Sequence, residues 1–144
     1  MANYLTTTDV ANRLRRTYTS AYTRDGALDT DLVDADIDNA EGIVDGYLAS
    51  RYVTPITDAT ALRMITAWAL TIVEELAYSV IGAGELPAGL KDRVAAVYRQ
   101  LEAVQSGALS LGATPAPAEQ TDVADSLIID GDTPIMTNSG MAGL

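Results

Sequence analysis

The chain has 144 residues, with nine Lys and Arg against 20 Asp and Glu, a net charge of -11, and neither Cys nor His. That composition removes disulfides, thiolate or imidazole zinc sites, and any nucleophile that relies on Cys or His. The charge also argues against a sequence-independent grip on nucleic acid, which needs clustered cations at the phosphates. The 48% of hydrophobic residues supply the core of one domain, with or without a tail.

Leu5-Thr6-Thr7-Thr8-Asp9-Val10 reads as a helix start. Thr6 is the N-cap, Leu5 and Val10 form a hydrophobic staple, and Asp9 faces the positive end of the helix dipole. This first helix is expected to run to about Arg16. Residues Thr17 to Ala27 are polar and contain an Asp25-Gly26 turn signal, so a loop is expected there. Asp29 or Thr30 caps a longer second helix whose apolar line is Val33, Ile37, Ala40, Val44, Tyr47 and Leu48, with Arg51 next on it. Asp34, Asp38, Glu41 and Asp45 form a second stripe about a quarter turn away. Pro55 ends the element and leaves Tyr52-Val53-Thr54 extended.

Asp58 caps a third helix, Ala59 to Ile81. Leu62, Ile65, Ala69, Ile72, Val73, Leu76 and Val80 make one face, and Ala67, Trp68, Leu70 and Tyr78 fill much of the rest. The stretch is long enough to cross a membrane, but Arg63, Glu74 and Glu75 are costly in hydrocarbon. A buried helix follows, central in its own fold or covered by other subunits. Glu74 is expected to pair with Arg63. Met1-Ala2-Asn3-Tyr4 lacks the features of a signal peptide. Gly82-Ala83-Gly84 stops the third helix and Pro87 opens a fourth, with Leu90, Val94, Val97, Leu101 and Val104 inside and Gly107 at its end.

Composition changes at Gly112. Residues 112–144 hold three Pro, five acids and no Lys or Arg, with two apolar patches, Leu127-Ile128-Ile129 and Pro134-Ile135-Met136. Such a segment is an arm that orders by docking, and it reaches about 110 Å when extended. The expectation is thus a mainly α chain: a small four-helix bundle over 1–111 and an extended, mostly irregular C-terminal arm over 112–144.

Chemistry finds little footing. Asp34, Asp36, Asp38 and Asp45 match positions 1, 3, 5 and 12 of a calcium loop. However, Asn39 stands where the sharp turn needs Gly, and the run keeps an uninterrupted helical period. Glu74 and Glu75 are adjacent on a helix and point about 100° apart, so they cannot share a substrate. Ser50, Ser79 and Ser110 have no nucleophile-elbow context, and Gly82-Ala83-Gly84 follows a helix instead of a strand. No enzyme, metal or cofactor is expected. Arg13, Arg15 and Arg16 oppose in sign the Asp34, Asp38, Glu41 and Asp45 stripe. The two sets are either ordinary surface charge or matching edges of neighbouring subunits.

Arg24-Asp25-Gly26, Val33 to Asp45, and Tyr47-Leu48-Ala49-Ser50-Arg51-Tyr52-Val53-Thr54-Pro55-Ile56 together resemble the head-tail adaptor proteins of Mu-like and other long-tailed phages. Leu101, Gly107 and Leu111 stand where that family has a Leu…Gly…Leu helix ending, and the Thr-Thr-Asp helix start also fits. The resemblance covers residues 4–111 and leaves out the acidic arm. It implies a structural protein of the virion neck, assembled in the bacterial cytoplasm as a ring, usually twelvefold, under the portal protein. It also implies a tail-side connector (stopper or tail terminator) as a second partner and DNA passing through the lumen. An acidic wall repels phosphate and lets the genome slide. On this reading Leu127, Ile128, Ile129, Ile135 and Met136 anchor the arm on a neighbour. Arg13, Arg15, Arg16, Asp34, Asp38, Glu41 and Asp45 are candidates for the contact between subunits. The rival classes are an acidic DNA mimic that inhibits a DNA-binding enzyme, and a metal-dependent carboxylate enzyme.

Overall fold

A computed structural model describes residues 3–82 and 84–116. The described residues are mainly α: α1 (Thr7–Leu14), α2 (Arg16–Tyr22), a hairpin of β1 (Thr23–Arg24) and β2 (Ala27–Leu28), α3 (Thr30–Leu48), α4 (Ala59–Ile81) and α5 (Ala88–Ser106). There are five helices among them instead of the expected four, because the segment read as a loop contains α2. Its residues are poor helix formers, and tertiary burial overrides that propensity. Tyr18 and Tyr22, one turn apart, bring their rings to 5.4 Å. Ala21 and Tyr22 are buried. Arg15 separates α1 from α2 with φ 55°, a left-handed backbone that stops α1 after Leu14.

The caps follow the sequence closely. Thr6 accepts from the Asp9 N–H while the Asp9 carboxylate accepts from the Thr6 N–H, a reciprocal capping box, and Leu5 and Val10 are both buried. Asp29 and Asp58 cap α3 and α4 through their carboxylates. Gly82 and Gly107 end α4 and α5 in the left-handed conformation. Pro87 is the N-cap residue of α5, one position earlier than its first helical turn.

Helix α4 is the axis of the fold. It packs against α1, α2, α3 and α5, while α3 also touches α1, α2 and α5. It is long and apolar enough to cross a membrane by length and composition, but here it is the core helix. Its own chain therefore covers part of the apolar surface that sequence alone left open to other subunits, with Leu62, Leu70, Leu76 and Tyr78 half-buried. Trp68, expected off the main face, is 3% exposed, and its indole N–H donates to Gln100 Oε1 on α5 at 2.6 Å. The large apolar residues of α4 left exposed are Met64 near one end and Val80 and Ile81 at the other. All five expected core residues of α5 are buried. The Glu74 carboxylate bonds to Arg13 of α1 at 3.1 Å and Arg93 of α5 at 2.9 Å, and so ties three helices. It does not pair with Arg63 as expected; eleven residues of helix separate the two by about 16 Å.

The body does not stop at Leu111. The Leu111 N–H donates to the Tyr52 hydroxyl, the Val53 N–H donates to Thr114 O, and the Ala116 N–H donates to Arg51 O. Tyr52 and Pro115 form an antiparallel bridge. Residues 112–116, the start of the expected arm, are thus fastened to the extended segment after α3.

Candidate functional site

The acidic stripe of α3 divides into residues with different environments. Asp34 and Asp38 are exposed. Glu41 is 2% exposed: its carboxylate accepts from the backbone N–H groups of Asn3 at 2.6 Å, Tyr4 at 2.7 Å and Leu5 at 2.8 Å. A buried carboxylate with three amide donors is a satisfied one. It fastens the strap that precedes α1 to the middle of α3 and offers nothing to a neighbouring subunit. The Tyr4 hydroxyl continues the network, donating to Asp45 and accepting from the Ile56 N–H at 3.0 Å. Tyr4, Glu41, Asp45 and Ile56 thereby join the strap, α3 and the α3–α4 connection. Position 41 lies one turn after Ile37 and seven residues before Leu48, both buried, and that placement is the sequence signal for its burial.

Asp36, one turn before Ala40, accepts from the Tyr22 hydroxyl at 2.7 Å. Burial pushes both the Asp36 and the Asp45 carboxyl above the usual carboxylate range, against the opposing effect of their tyrosine bonds. Tyr22 and Tyr4 are raised as well, first by burial and then by the carboxylates they bond. An acid whose native pKa is raised makes the native state bind more protons than the unfolded chain, whose Asp titrates near about 3.9. These two groups therefore add stability as pH falls from neutral through their raised native pKa values, and their gain is complete below the unfolded value. Asp36→Asn keeps an acceptor for Tyr22 and loses the titration. In urea denaturation from neutral pH down to about pH 4, the wild-type chain should gain on the variant. A difference between the two that stays constant over this range would count against the assignment.

The cationic cluster also divides. Arg13 is engaged with Glu74 and, at 3.4 Å, with Thr71 Oγ1, whereas Arg15 and Arg16 are exposed. Among the described residues no group of three His, Cys, Asp or Glu is arranged to hold a metal ion. Asp34, Asp36, Asp38 and Asp45 lie on one continuous helix. Leu127, Ile128, Ile129, Ile135 and Met136 lie outside the described residues.

The residues of the Tyr47–Ile56 signature converge with Gly107 and Leu111. The Arg51 guanidinium covers Gly107, so closely that a Cβ there would stand 2.8 Å from Nη1. Gly107 holds φ 89°, and a cation at the C-terminal end of α5 is favoured by the helix dipole. Tyr52 receives the Leu111 N–H, and Tyr47 meets Tyr98 of α5 edge-on with ring centres 6.2 Å apart. Ile56 is buried. The signature is a clasp that locks the end of α3, the end of α5 and the root of the arm together.

Comparison with known protein families gives a match to the model described as Bacteriophage Mu, Gp36, over residues 4–127. The match runs past Leu111, through the clasped segment and into the arm. No curated protein and no solved structure matches the chain. With the match spanning most of its length and including the whole clasp, this mainly helical chain belongs to the bacteriophage Mu Gp36 family.

Proposed function

We propose that the chain is a head-tail adaptor: a non-catalytic structural protein that forms a ring between the portal protein and a tail-side connector in the virion neck. The observation that carries the reading is the family match over residues 4–127. It coincides with a clasp, Tyr47–Ile56 against Gly107 and Leu111, built from the residues by which the sequence resembles such adaptors. The electrostatics agree, because a net charge of -11 suits a lumen through which DNA slides without sticking. In the ring, opposite charges meet across a heterologous contact: Arg15 and Arg16 of one subunit face Asp34 and Asp38 of the next. Met64, Val80 and Ile81 supply exposed apolar surface for the same neighbours. The arm, with Leu127–Ile129 and Ile135–Met136, extends to the portal or an adjacent adaptor and holds the ring there.

The test is native mass measurement of the full chain mixed with the portal protein of its own phage. A portal-bound ring of the portal's stoichiometry is the expected result. Deleting 117–144, which spares the paired residues 112–116, should leave a folded body that docks at least about tenfold more weakly. A discrete monomer or dimer with no portal association at near-physiological salt would overturn the reading and favour an acidic DNA mimic.

A further inference from the structure

A groove of about 570 Å3 lies between the C-terminal halves of α3 and α5, lined by Gly42, Ile43, Gly46, Tyr47, Tyr98 and Gln105. Its apolar lining is Ile43 and the two half-buried tyrosines, and along α3 it bares backbone: a Cβ added at Gly42 or Gly46 would meet nothing within 4 Å. An extended segment can therefore come close to α3 there. The arm begins at the end of this groove. Ala116 is hydrogen-bonded to Arg51, one turn beyond Tyr47, and Arg51 covers Gly107, two residues beyond Gln105. The direction of the arm's root, up to Ala116, is set as well. Because residues 114–116 pair antiparallel with 51–53, the step from Thr114 to Ala116 is directed toward the end of α3.

We propose that, in the unassembled chain, the Leu127–Ile129 run of the same molecule occupies the groove between α3 and α5. The reach is sufficient: ten residues separate Ala116 from Leu127 and span up to about 33 Å, whereas Arg51 to Gly42 along a helix is about 14 Å. Leu127 and Ile129 fall on one side of an extended segment and meet the joined tyrosine rings, while Ile128 falls on the other side. The family match, which ends at residue 127, carries the chain to the start of this run. This docking goes beyond the adaptor reading and does not depend on it. A ring that uses the arm between subunits would have to draw the run out of its own groove first.

The chain has no Cys, so introduced thiols report proximity cleanly. Gln105→Cys is combined with Asp125→Cys, on the same side of an extended run as Leu127 and Ile129, in the full-length chain. Val80→Cys, at the far end of α4, with Asp125→Cys is the reference pair; Gln105 and Val80 are both exposed and tolerate the change. Under dilute oxidation the first pair should close within one chain about tenfold faster than the reference, and adding Leu127→Asp and Ile129→Asp should abolish the advantage. Equal rates overturn the proposal. Disulfides between chains overturn it too, assigning the groove to a second copy. A measurement independent of thiol geometry is the amide NMR spectrum. Deleting 117–144 should shift Gly42 and Gly46, and unchanged signals at both would also overturn it. Portal binding enters neither measurement, so their outcome is separate from the adaptor test.

Discussion

Glu41→Ala lowers the unfolding free energy by about 4 kcal/mol, one of the largest effects expected of any single polar replacement in this chain. Three backbone N–H groups lose a charged acceptor at once. Asn3 is exposed and its N–H can turn to water, but Tyr4 and Leu5 are buried, and each orphaned amide costs about 1–3 kcal/mol. The void left by the side chain adds to this. Once the strap loosens, Tyr4 also leaves Asp45 and the Ile56 N–H. Glu41→Gln keeps the shape but turns one acceptor into a donor that faces other donors, so about half the loss is expected. Urea denaturation followed by the fluorescence of Trp68, the single tryptophan, measures both. A loss below about 1 kcal/mol for the Ala variant would show that the strap is not held by Glu41.

Trp68→Ala should cost about 3–5 kcal/mol. The indole is 3% exposed at the contact of α4 with α5, and no neighbour can fill the space of its two rings. Trp68→Phe retains most of the contact area and loses the N–H bond to Gln100, so a smaller cost of about 1–2 kcal/mol is expected. Gln100→Ala leaves the indole N–H to find water at the rim and costs least. Far-UV circular dichroism reads all three variants, since fluorescence is lost with Trp68. The order Ala, Phe, then Gln100→Ala is the prediction. A Trp68→Ala variant as stable as Trp68→Phe would mean that the α4–α5 seam does not depend on the aromatic ring.

Much of this architecture was written locally. Thr6, Asp29 and Asp58 at helix starts, Gly82 and Gly107 at helix ends, and the 3.6-residue apolar lines of α3 and α5 act through neighbouring residues and periodicity. They could be read before any contact was known. Helix α2 could not, because its Thr, Ser and Tyr residues become helical only where Tyr22 is buried beside α3. Glu41 was read by its charge as a surface residue, although its position on α3 belongs to the buried line. Its three donors sit 36 to 38 residues earlier in the chain. Glu74 shows the same limit: its partners Arg13 and Arg93 come from two other helices, and sequence proximity pointed to Arg63 instead. The Tyr47–Ile56 signature was legible as a pattern. Its physical work was not, because Arg51 on Gly107 and Tyr52 on Leu111 are contacts across more than fifty residues.

The antiparallel root of the arm has a mechanical consequence for whatever pulls on it. The bonds from Val53 to Thr114 and from Ala116 to Arg51 lie side by side across two extended segments. Tension on the arm directed along those segments loads both bonds together in shear, and they must break simultaneously. Tension directed away from the body peels them in turn, Ala116 first, at much lower force. The same root therefore withstands a pull along α3 and releases under a pull outward, so the resistance of the joint depends on the direction of the load as well as on its strength.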